Sequence, residues 1–217
     1  MGLTITCLND GENTVIFIIQ DVAALWLQIN GSSPRYVFMR LLKTAFHPDL
    51  SPEDISPTSE LILIERHAAR GIVVRGENIL LLYTQRYHDY SLPGGGIDEG
   101  EDEIEGLIRE LKEETGAQGV RNVKAFARYD EYRPWYKPDA DIIHMISHCY
   151  VCEIDEALGE TSFESHEVSN GMAPKWMNIY EAIAHNEAEI ANSDKKGLSI
   201  ERETFMLRVI AEELVAR

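Results

Sequence analysis

The sequence is poor in the features that mark secreted and membrane-spanning proteins. It contains three cysteines among 217 residues, an odd number that is too small for a framework of disulfides and that favours a reducing compartment. No run of about 18 apolar residues occurs, so no membrane helix is predicted. The N-terminus also lacks the basic region, apolar core and cleavage site of a secretory signal. We therefore expect a cytoplasmic protein with no membrane partner.

Basic residues are scarce as well. Lys and Arg number 20 against 37 Asp and Glu, which gives a net charge of −17 at pH 7. Nonspecific binding to nucleic acid depends on clustered basic side chains, so this activity is not expected. A small anionic substrate is not excluded, because a bound divalent cation inverts the local field. The apolar fraction of 44% is enough for a sizeable core, as one domain with an extension or as a domain with a small module.

An amphipathic helix that is rich in carboxylates is predicted shortly after residue 101. Its apolar side chains recur at the helical spacing i, i+3, i+4 and i+7 and are Ile104, Leu107, Ile108 and Leu111. Glu110, Glu113 and Glu114 lie on an adjoining arc, where like charges repel and the C-terminal end of the helix dipole disfavours anions. Mg²⁺ binds carboxylates together with phosphate oxygens, so this arc is typical of a metal site for a polyphosphate. A solvated acidic surface is the alternative.

A glycine-rich turn precedes this helix. Residues 92–96 read Leu-Pro-Gly-Gly-Gly, and glycine lets the backbone approach a ligand and expose its carbonyl and amide groups. We therefore predict Gly95 and Gly96 as substrate-binding residues. Gly106 lies inside the helix on its acidic side, where glycine costs about 1 kcal/mol relative to alanine. Its presence there predicts close packing against that side of the helix.

The spacing of these residues resembles the Nudix box of the Nudix (MutT-like) hydrolases. The positions that match the fixed residues of the box are Gly95, Glu101, Arg109, Glu110, Leu111, Glu113, Glu114 and Gly116. The last box position departs from the pattern, since it holds Ala117 in place of a larger aliphatic residue, which affects packing more than catalysis. The resemblance extends over residues 61–190 and does not explain the preceding part of the chain.

The resemblance implies a Mg²⁺-dependent hydrolase, with Mn²⁺ as the alternative ion, that breaks the pyrophosphate bond of a nucleoside diphosphate linked to another group. Four metal ligands follow from the matching positions: the carbonyl of Gly94 and the carboxylates of Glu110, Glu113 and Glu114. Arg109 is expected to pair with Glu101 or with a glutamate of the helix, and so to orient a carboxylate. The substrate classes within this description are nucleotide sugars, ADP-ribose, dinucleoside polyphosphates and nucleoside triphosphates.

The general base is left open by the resemblance, between a glutamate of the box and an acidic residue of a later loop. Residues 163–168 offer Glu164 and Glu167, of which Glu167 is favoured, and solvated loop acids are the alternative. Arg86 could pair with a phosphate and Tyr90 could stack on a base of the substrate. Both could equally be residues of a loop surface.

We expect an α/β fold, a Nudix-type α/β/α sandwich with a mixed sheet, preceded by an N-terminal extension. The predicted division places an accessory module with a proline-rich linker in residues 1–60 and the hydrolase domain with a C-terminal helix in residues 61–217. The predicted elements of the extension are a hairpin of residues 4–8 and 15–20, a helix of residues 33–46 and a linker of residues 47–59. The elements predicted in the main domain are strands at 70–74, 79–83, 123–129, 142–154 and 176–178, and helices at 179–186 and 199–216.

The histidines and cysteines between positions 144 and 152 are not predicted to bind zinc. A strand would hold His144 and His148 about 13 Å apart and would place Cys149 and Cys152 on opposite faces. The alternative to an enzyme is a catalytically silent Nudix-like protein that senses nucleotides or binds partners. The resemblance also admits a homodimer, in which the apolar N-terminal segment is either the interface or part of the core.

Overall fold

The computed structural model describes residues 6–9, 15–18, 39–194 and 196–215. Contacts divide the chain into two compact units, residues 1–37 and residues 38–217. In the first unit, β1 (Thr6–Asn9) and β2 (Val15–Ile18) pair antiparallel. This pairing confirms the hairpin predicted for these residues. The predicted division of domains at residue 60 stays a prediction.

The second unit contains eight further strands and four α-helices among its described residues. The strands are β3 (Leu41–Phe46), β4 (Leu63–Ile72), β5 (Val74–Arg75), β6 (Asn78–Thr84), β7 (Asp89–Ser91), β8 (Arg121–Pro134), β9 (Ile142–Glu153) and β10 (Met172–Asn178). The helices are α1 (Glu103–Thr115), α2 (Ser165–Asn170), α3 (Ile179–Asn192) and α4 (Ile200–Ile210). A 3₁₀ turn at Pro52–Ile55 and a π turn at Ala211–Val215 complete the elements. Among the described helices, none has the length and apolar character needed to cross a bilayer.

The eight strands of the second unit form two four-stranded sheets. The larger sheet has the order β3-β8-β9-β4, with β8 and β9 antiparallel and both outer strands parallel to their neighbours. The smaller sheet has the order β10-β6-β5, and β7 pairs with β6. The predicted mixed sheet is therefore confirmed.

The helix predicted for residues 33–46 is wrong where the chain is described, because Leu41–Phe46 is strand β3. Its start at Ser33 and Pro34 lies outside the described residues. In β3, Leu42 and Ala45 pack against the hydrophobic core, and the backbone pairs with β8 over residues such as Phe46 and Tyr132. Pairing with a distant strand outweighs a modest local preference for helix.

Successive side chains of a strand lie on opposite faces of the sheet, and the two faces contribute to two separate cores. On β6, Ile79 and Leu81 belong to the core that α3 and α4 cover. The intervening Leu80 belongs to the core that contains Leu107 and Leu111 of α1. Helices therefore cover both faces, which confirms the predicted α/β/α sandwich.

Helix α1 has defined ends that fix the position of its carboxylates. At its start, the Asp102 side chain accepts hydrogen bonds from the backbone N–H groups of Ile104 and Glu105. At its end, Gly116 adopts the left-handed conformation with φ of 69° and closes the last turn. Of the predicted apolar stripe, Leu107 and Leu111 are fully buried, whereas Ile108 is exposed.

Candidate active site

The glycine turn lies against both β4 and α1. The backbone N–H groups of Ala69 and Gly71 donate to the carbonyls of Gly95 and Pro93, at 3.0 and 2.8 Å. A Cβ atom on Gly95 would come within 2.5 Å of the Glu110 carboxylate. At Gly94, φ is 128° and a Cβ atom would overlap the backbone carbonyl oxygen of Ala69, so glycine is required at that position.

Gly106 brings the same close packing to the start of α1. A Cβ atom there would lie 2.8 Å from Ile97 Cδ1 and 2.9 Å from Glu101 Oε2. The predicted close approach at Gly106 is confirmed. The segment between the turn and the helix is thereby held against the acidic side of α1.

Arg109 contacts Glu101 and two glutamates of the helix at once. Its Nε and Nη2 donate to the two carboxylate oxygens of Glu101 at 2.9 and 3.0 Å. Its Nη1 donates to Glu110 at 2.7 Å and to Glu113 at 3.3 Å. These hydrogen bonds, with one from the Asp98 backbone, lower the pKa of Glu101 to about 2. Arg109 thus holds three carboxylates in fixed orientations, which is a positioning arrangement.

Glu114 is the most deeply buried carboxylate of the helix, with 4% of its surface exposed. Its pKa is raised to about 8, mainly by burial and also by the nearby carboxylates of Glu110 and Glu167, against the opposing effects of Arg70 and the Gly94 N–H. One of its oxygens accepts a hydrogen bond of 2.5 Å from the Gly94 backbone N–H. Burial also raises the pKa of Glu110, against the opposing effect of Arg109. Desolvated carboxylates with too little positive charge around them fit a divalent cation, because hard cations prefer clustered oxygen ligands.

Arg70 on β4 also enters this site, although it was not predicted from the sequence as a site residue. Its Nη1 donates to the Gly94 carbonyl, and its charge lowers the pKa of both Glu110 and Glu114. Its buried Nε has no hydrogen-bond partner among the described residues. The Gly94 oxygen has two lone pairs, so this hydrogen bond leaves one available for a cation. The signal in the sequence is an arginine within the apolar run at residues 68–73.

Helix α2 brings Glu167 next to Glu114. The Glu167 side chain is buried, and one of its oxygens accepts a hydrogen bond of 2.7 Å from the Glu164 backbone N–H. Its charge acts on the pKa of Glu114. Glu164 instead faces solvent beside His166. Of the two predicted candidates for the general base, the structure thus brings only Glu167 to the carboxylates of α1. We call Glu101, Glu110, Glu113, Glu114 and Glu167, with Arg70 and Arg109, the acidic cluster.

The residues predicted to bind substrate lie in different places. Arg86 adjoins α2, since its backbone N–H and its side chain both donate to Asn170. Gly96 lies beside the Arg66 guanidinium, and its carbonyl accepts a hydrogen bond from Arg109. Tyr90 belongs to the core beneath α3 and α4 and is 7% exposed, so the structure does not bring its ring to the acidic cluster.

A second group of charged side chains, which was not predicted from the sequence, contacts the glycine turn from the side of α4. Glu203 on α4 accepts a hydrogen bond of 2.9 Å from the Leu92 backbone N–H. Arg202 donates to Glu203 at 2.7 Å and to Glu131 at 3.0 Å. Arg133 reaches Glu131 at 3.9 Å. We call these residues the α4 cluster, which pins the start of the glycine turn to α4.

The histidines of β9 contact carboxylates, and its cysteines are buried. His144 lies between Asp130 and Glu65, 3.2 Å from each, and His148 contacts Glu103. Cys149 and Cys152 are buried free thiols, and burial raises the pKa of each.

Comparison with known proteins gives the family. The family model described as the NUDIX domain matches residues 65–198, which is more than half of the chain. The match includes the glycine turn, α1 and α2. The protein belongs to the Nudix family.

Individual relatives are distant. The chain is 41% identical over 56 residues to the RNA pyrophosphohydrolase of Bartonella quintana (strain Toulouse), which is 26% of this chain and 29% of that protein. It is 29% identical over 130 residues to the CMP-5'-(N-acetyl-N-hydroxy-3-aminopropyl)phosphonate hydrolase of Streptomyces rubellomurinus, which is 55% and 57% of the two chains. Among solved structures, a Nudix hydrolase from Nitrosomonas europaea matches with a TM-score of 0.48 and 14% identity, over 68% of this chain and 90% of that one. The chain spans less than two thirds of both curated relatives.

Proposed function

We propose that the protein is a Mg²⁺-dependent hydrolase of the pyrophosphate bond in a nucleoside diphosphate linked to another group. The observation that carries this proposal is the charge of the acidic cluster. Five carboxylates and two guanidinium groups lie in it, which leaves a deficit of positive charge, and buried Glu114 has a pKa that is raised mainly by burial. A divalent cation would remove that deficit and would bring a polyphosphate to the turn.

The ligands proposed for the cation are the oxygens of Glu110, Glu113 and Glu114 and the carbonyl of Gly94. When bound, Mg²⁺ neutralises charge on the pyrophosphate as its P–O bond breaks. Arg109 holds three carboxylates in place through the contacts described above. Mn²⁺ has a similar preference for oxygen ligands, so we expect it to substitute for Mg²⁺.

Glu167 is the proposed general base. Its burial beside Glu114 leaves one carboxylate oxygen available, since the other accepts the Glu164 N–H. In the proposed reaction, a water oxygen attacks phosphorus, its proton passes to Glu167, and the bridging P–O bond breaks to give two phosphate products. The position of Glu167 near the proposed metal ligand Glu114 supports this role, because a general base must lie within hydrogen-bond reach of the water it deprotonates.

Arg86 is proposed to contact a phosphate of the substrate. It lies next to α2, the helix that carries Glu167. Among the described residues, its guanidinium has one hydrogen bond, of 3.2 Å to Asn170. The names of the relatives, an RNA pyrophosphohydrolase and a hydrolase of a CMP-linked phosphonate, support a nucleotide substrate in general. A cytoplasmic location and a homodimer remain predictions.

The proposal is tested by incubating the protein and Mg²⁺ with ADP-ribose, a nucleotide sugar, a dinucleoside polyphosphate and a nucleoside triphosphate. We expect a nucleoside mono- or diphosphate to be released from at least one of them, as followed by ³¹P NMR, and a chelator to abolish the release. Binding of these compounds with no product would contradict the proposal and favour a silent nucleotide sensor.

The role of Glu167 has a matched control in Glu164, three residues before it on the same segment. We expect Glu167→Gln to lower kcat by about 10²- to 10⁴-fold, whereas Glu164→Gln leaves kcat unchanged. Equal activities of the two variants would transfer the role of base to a glutamate of α1.

A further inference from the structure

Two histidines and a glutamate lie close together beside the core that α3 and α4 cover. His88 immediately precedes β7, and His185 and Glu189 lie one turn apart on α3. One metal-ligating atom from each of the three lies within 4.8 Å of the other two. His88 Nδ1 is 2.8 Å from a carboxylate oxygen of Glu189. These residues are not members of the acidic cluster or of the α4 cluster.

The hydrogen bonds around the three side chains suit metal ligation. His185 Nε2 lies 2.7 Å from the backbone carbonyl of His88, to which it donates. This bond leaves the lone pair of His185 on Nδ1 and fixes the orientation of its ring. Histidines that bind metals commonly donate their second ring N–H to a backbone carbonyl in this way.

Aromatic rings enclose the imidazoles. The His88 and His185 rings are 4.6 Å apart, and the Tyr90 and Tyr83 rings lie 5.0 and 6.3 Å from the His185 ring. The Glu189 side chain is mostly buried, while His88 is half exposed. The group is therefore preorganised and reachable from solvent.

We propose that His88, His185 and Glu189 form a binding site for a transition-metal ion of the Zn²⁺ class. Two imidazoles and one carboxylate are a ligand set of zinc sites and suit Zn²⁺, Ni²⁺ or Co²⁺. Mg²⁺ prefers oxygen ligands and does not compete for such a set. The site is thus chemically distinct from the acidic cluster.

The position of the site gives the bound ion a structural role. His88 is the last residue of the segment 85–88, which connects β6 to β7 and also contains Arg86. The Arg86 backbone N–H donates to the Asn170 carbonyl on α2. An ion shared by His88 and α3 would fasten this segment to α3. Because the same segment contacts α2, the ion would also steady the helix that carries Glu167.

The test measures Zn²⁺ binding by calorimetry to metal-free protein in excess Mg²⁺. The variants are His88→Asn, in which asparagine tolerates the left-handed φ of 56° at this position, and Glu189→Gln. The matched control is His47→Asn, because His47 pairs with Asp49 at 3.4 Å and no third metal-ligating side chain joins them in the part of the chain that the structure describes. The double variant Glu113→Gln/Glu114→Gln separates this site from the acidic cluster.

We expect one Zn²⁺ to bind the parent protein, the His47→Asn variant and the double variant with equal affinity. We expect the affinity to fall by about tenfold or more in His88→Asn and in Glu189→Gln, and the rise in Tm caused by Zn²⁺ to be lost in both. Circular dichroism checks that the variants fold. Equal Zn²⁺ affinities in His88→Asn and His47→Asn would overturn the proposal and leave His88 and Glu189 as an ion pair alone. Loss of Zn²⁺ binding in the double variant only would also overturn it.

Discussion

The acidic cluster and the α4 cluster hold the glycine turn from two sides, yet their charges differ. The α4 cluster pairs two arginines with two glutamates, Arg202 and Arg133 with Glu131 and Glu203. The acidic cluster sets five carboxylates against the guanidinium groups of Arg70 and Arg109. The first is balanced and the second has an excess of negative charge.

This difference separates structural from functional use of buried charge. A balanced buried network holds its groups together, and removing one member leaves an uncompensated charge. A cluster with unbalanced charge weakens the fold and is expected where a ligand supplies the missing charge. We therefore expect substitutions in the α4 cluster to reduce stability, and substitutions in the acidic cluster to reduce activity.

The largest expected effect comes from Glu114. Glu114→Gln removes a proposed metal ligand, so we expect kcat to fall on the order of 10³-fold, measured with the substrate that the panel identifies. In a chelator, we also expect its Tm to rise, because the amide has no charge to desolvate. Glu105→Gln, on an exposed residue of the same helix, is the control and should change neither. A fall in Tm together with full activity would contradict the distinction between the clusters.

For Arg202, in contrast to Glu114, we expect a substitution to reduce stability. Arg202→Met removes the arginine that pairs with Glu203 and leaves Glu131 only the more distant Arg133. We expect a loss of about 3 to 5 kcal/mol in the free energy of unfolding, measured with urea. Arg208 pairs with Glu187 at the surface, so Arg208→Met should cost no more than about 1 kcal/mol. Similar stabilities of the two variants would show that the α4 cluster is not structural.

A substitution of Arg109 tests whether this side chain positions the carboxylates of the acidic cluster. Arg109→Lys keeps the charge but loses the two-pronged contact with Glu101, so we expect Mg²⁺ affinity to fall by about 10- to 100-fold. The measurement is the Mg²⁺ concentration that gives half-maximal activity. Lys112→Arg, at the exposed side of the same helix, should leave this value unchanged. An unchanged value in Arg109→Lys would mean that charge alone is required.

The smallest effect is expected at Asp89, which borders the α4 cluster. Burial and the charge of Glu203 raise its pKa to about 6, above the ordinary value of 3.8. The folded state therefore binds this proton more tightly than the unfolded state, and the stability it confers is lost as pH rises from about 4 to 6. In a chelator at pH 7.5, Asp89→Asn should raise the free energy of unfolding by about 1 to 3 kcal/mol, and at pH 4 it should have no effect. A less stable variant at pH 7.5 would contradict this account.

The acidic cluster was largely predictable because most of it is local in sequence. Helix spacing places Glu110, Glu113 and Glu114 on one arc, and the preceding glycines indicate an approach of the backbone. Arg70 was missed because its contacts with Gly94 and the glutamates come from strand packing. Tyr90 was predicted as a loop residue at the substrate, but pairing of β7 with β6 turns its side chain into the core.

The α4 cluster could not be predicted because its contacts join distant parts of the chain. Arg202 meets Glu131, and Glu203 meets Leu92, 111 positions earlier. The sequence of α4 shows an amphipathic helix but not which strand it will cover. Strand β3 was missed for the same reason, since its residues pair with residues of β8 that lie 86 or 87 positions later in the chain.

The central claim is that Glu110, Glu113 and Glu114 hold a divalent cation. Its most direct test is X-ray diffraction from crystals soaked in Mn²⁺, with anomalous data collected near the manganese absorption edge. We predict an anomalous peak within coordination distance of these three carboxylates. Carboxylates that point into solvent with no peak beside them, in crystals of protein that hydrolyses its substrate, would contradict the account.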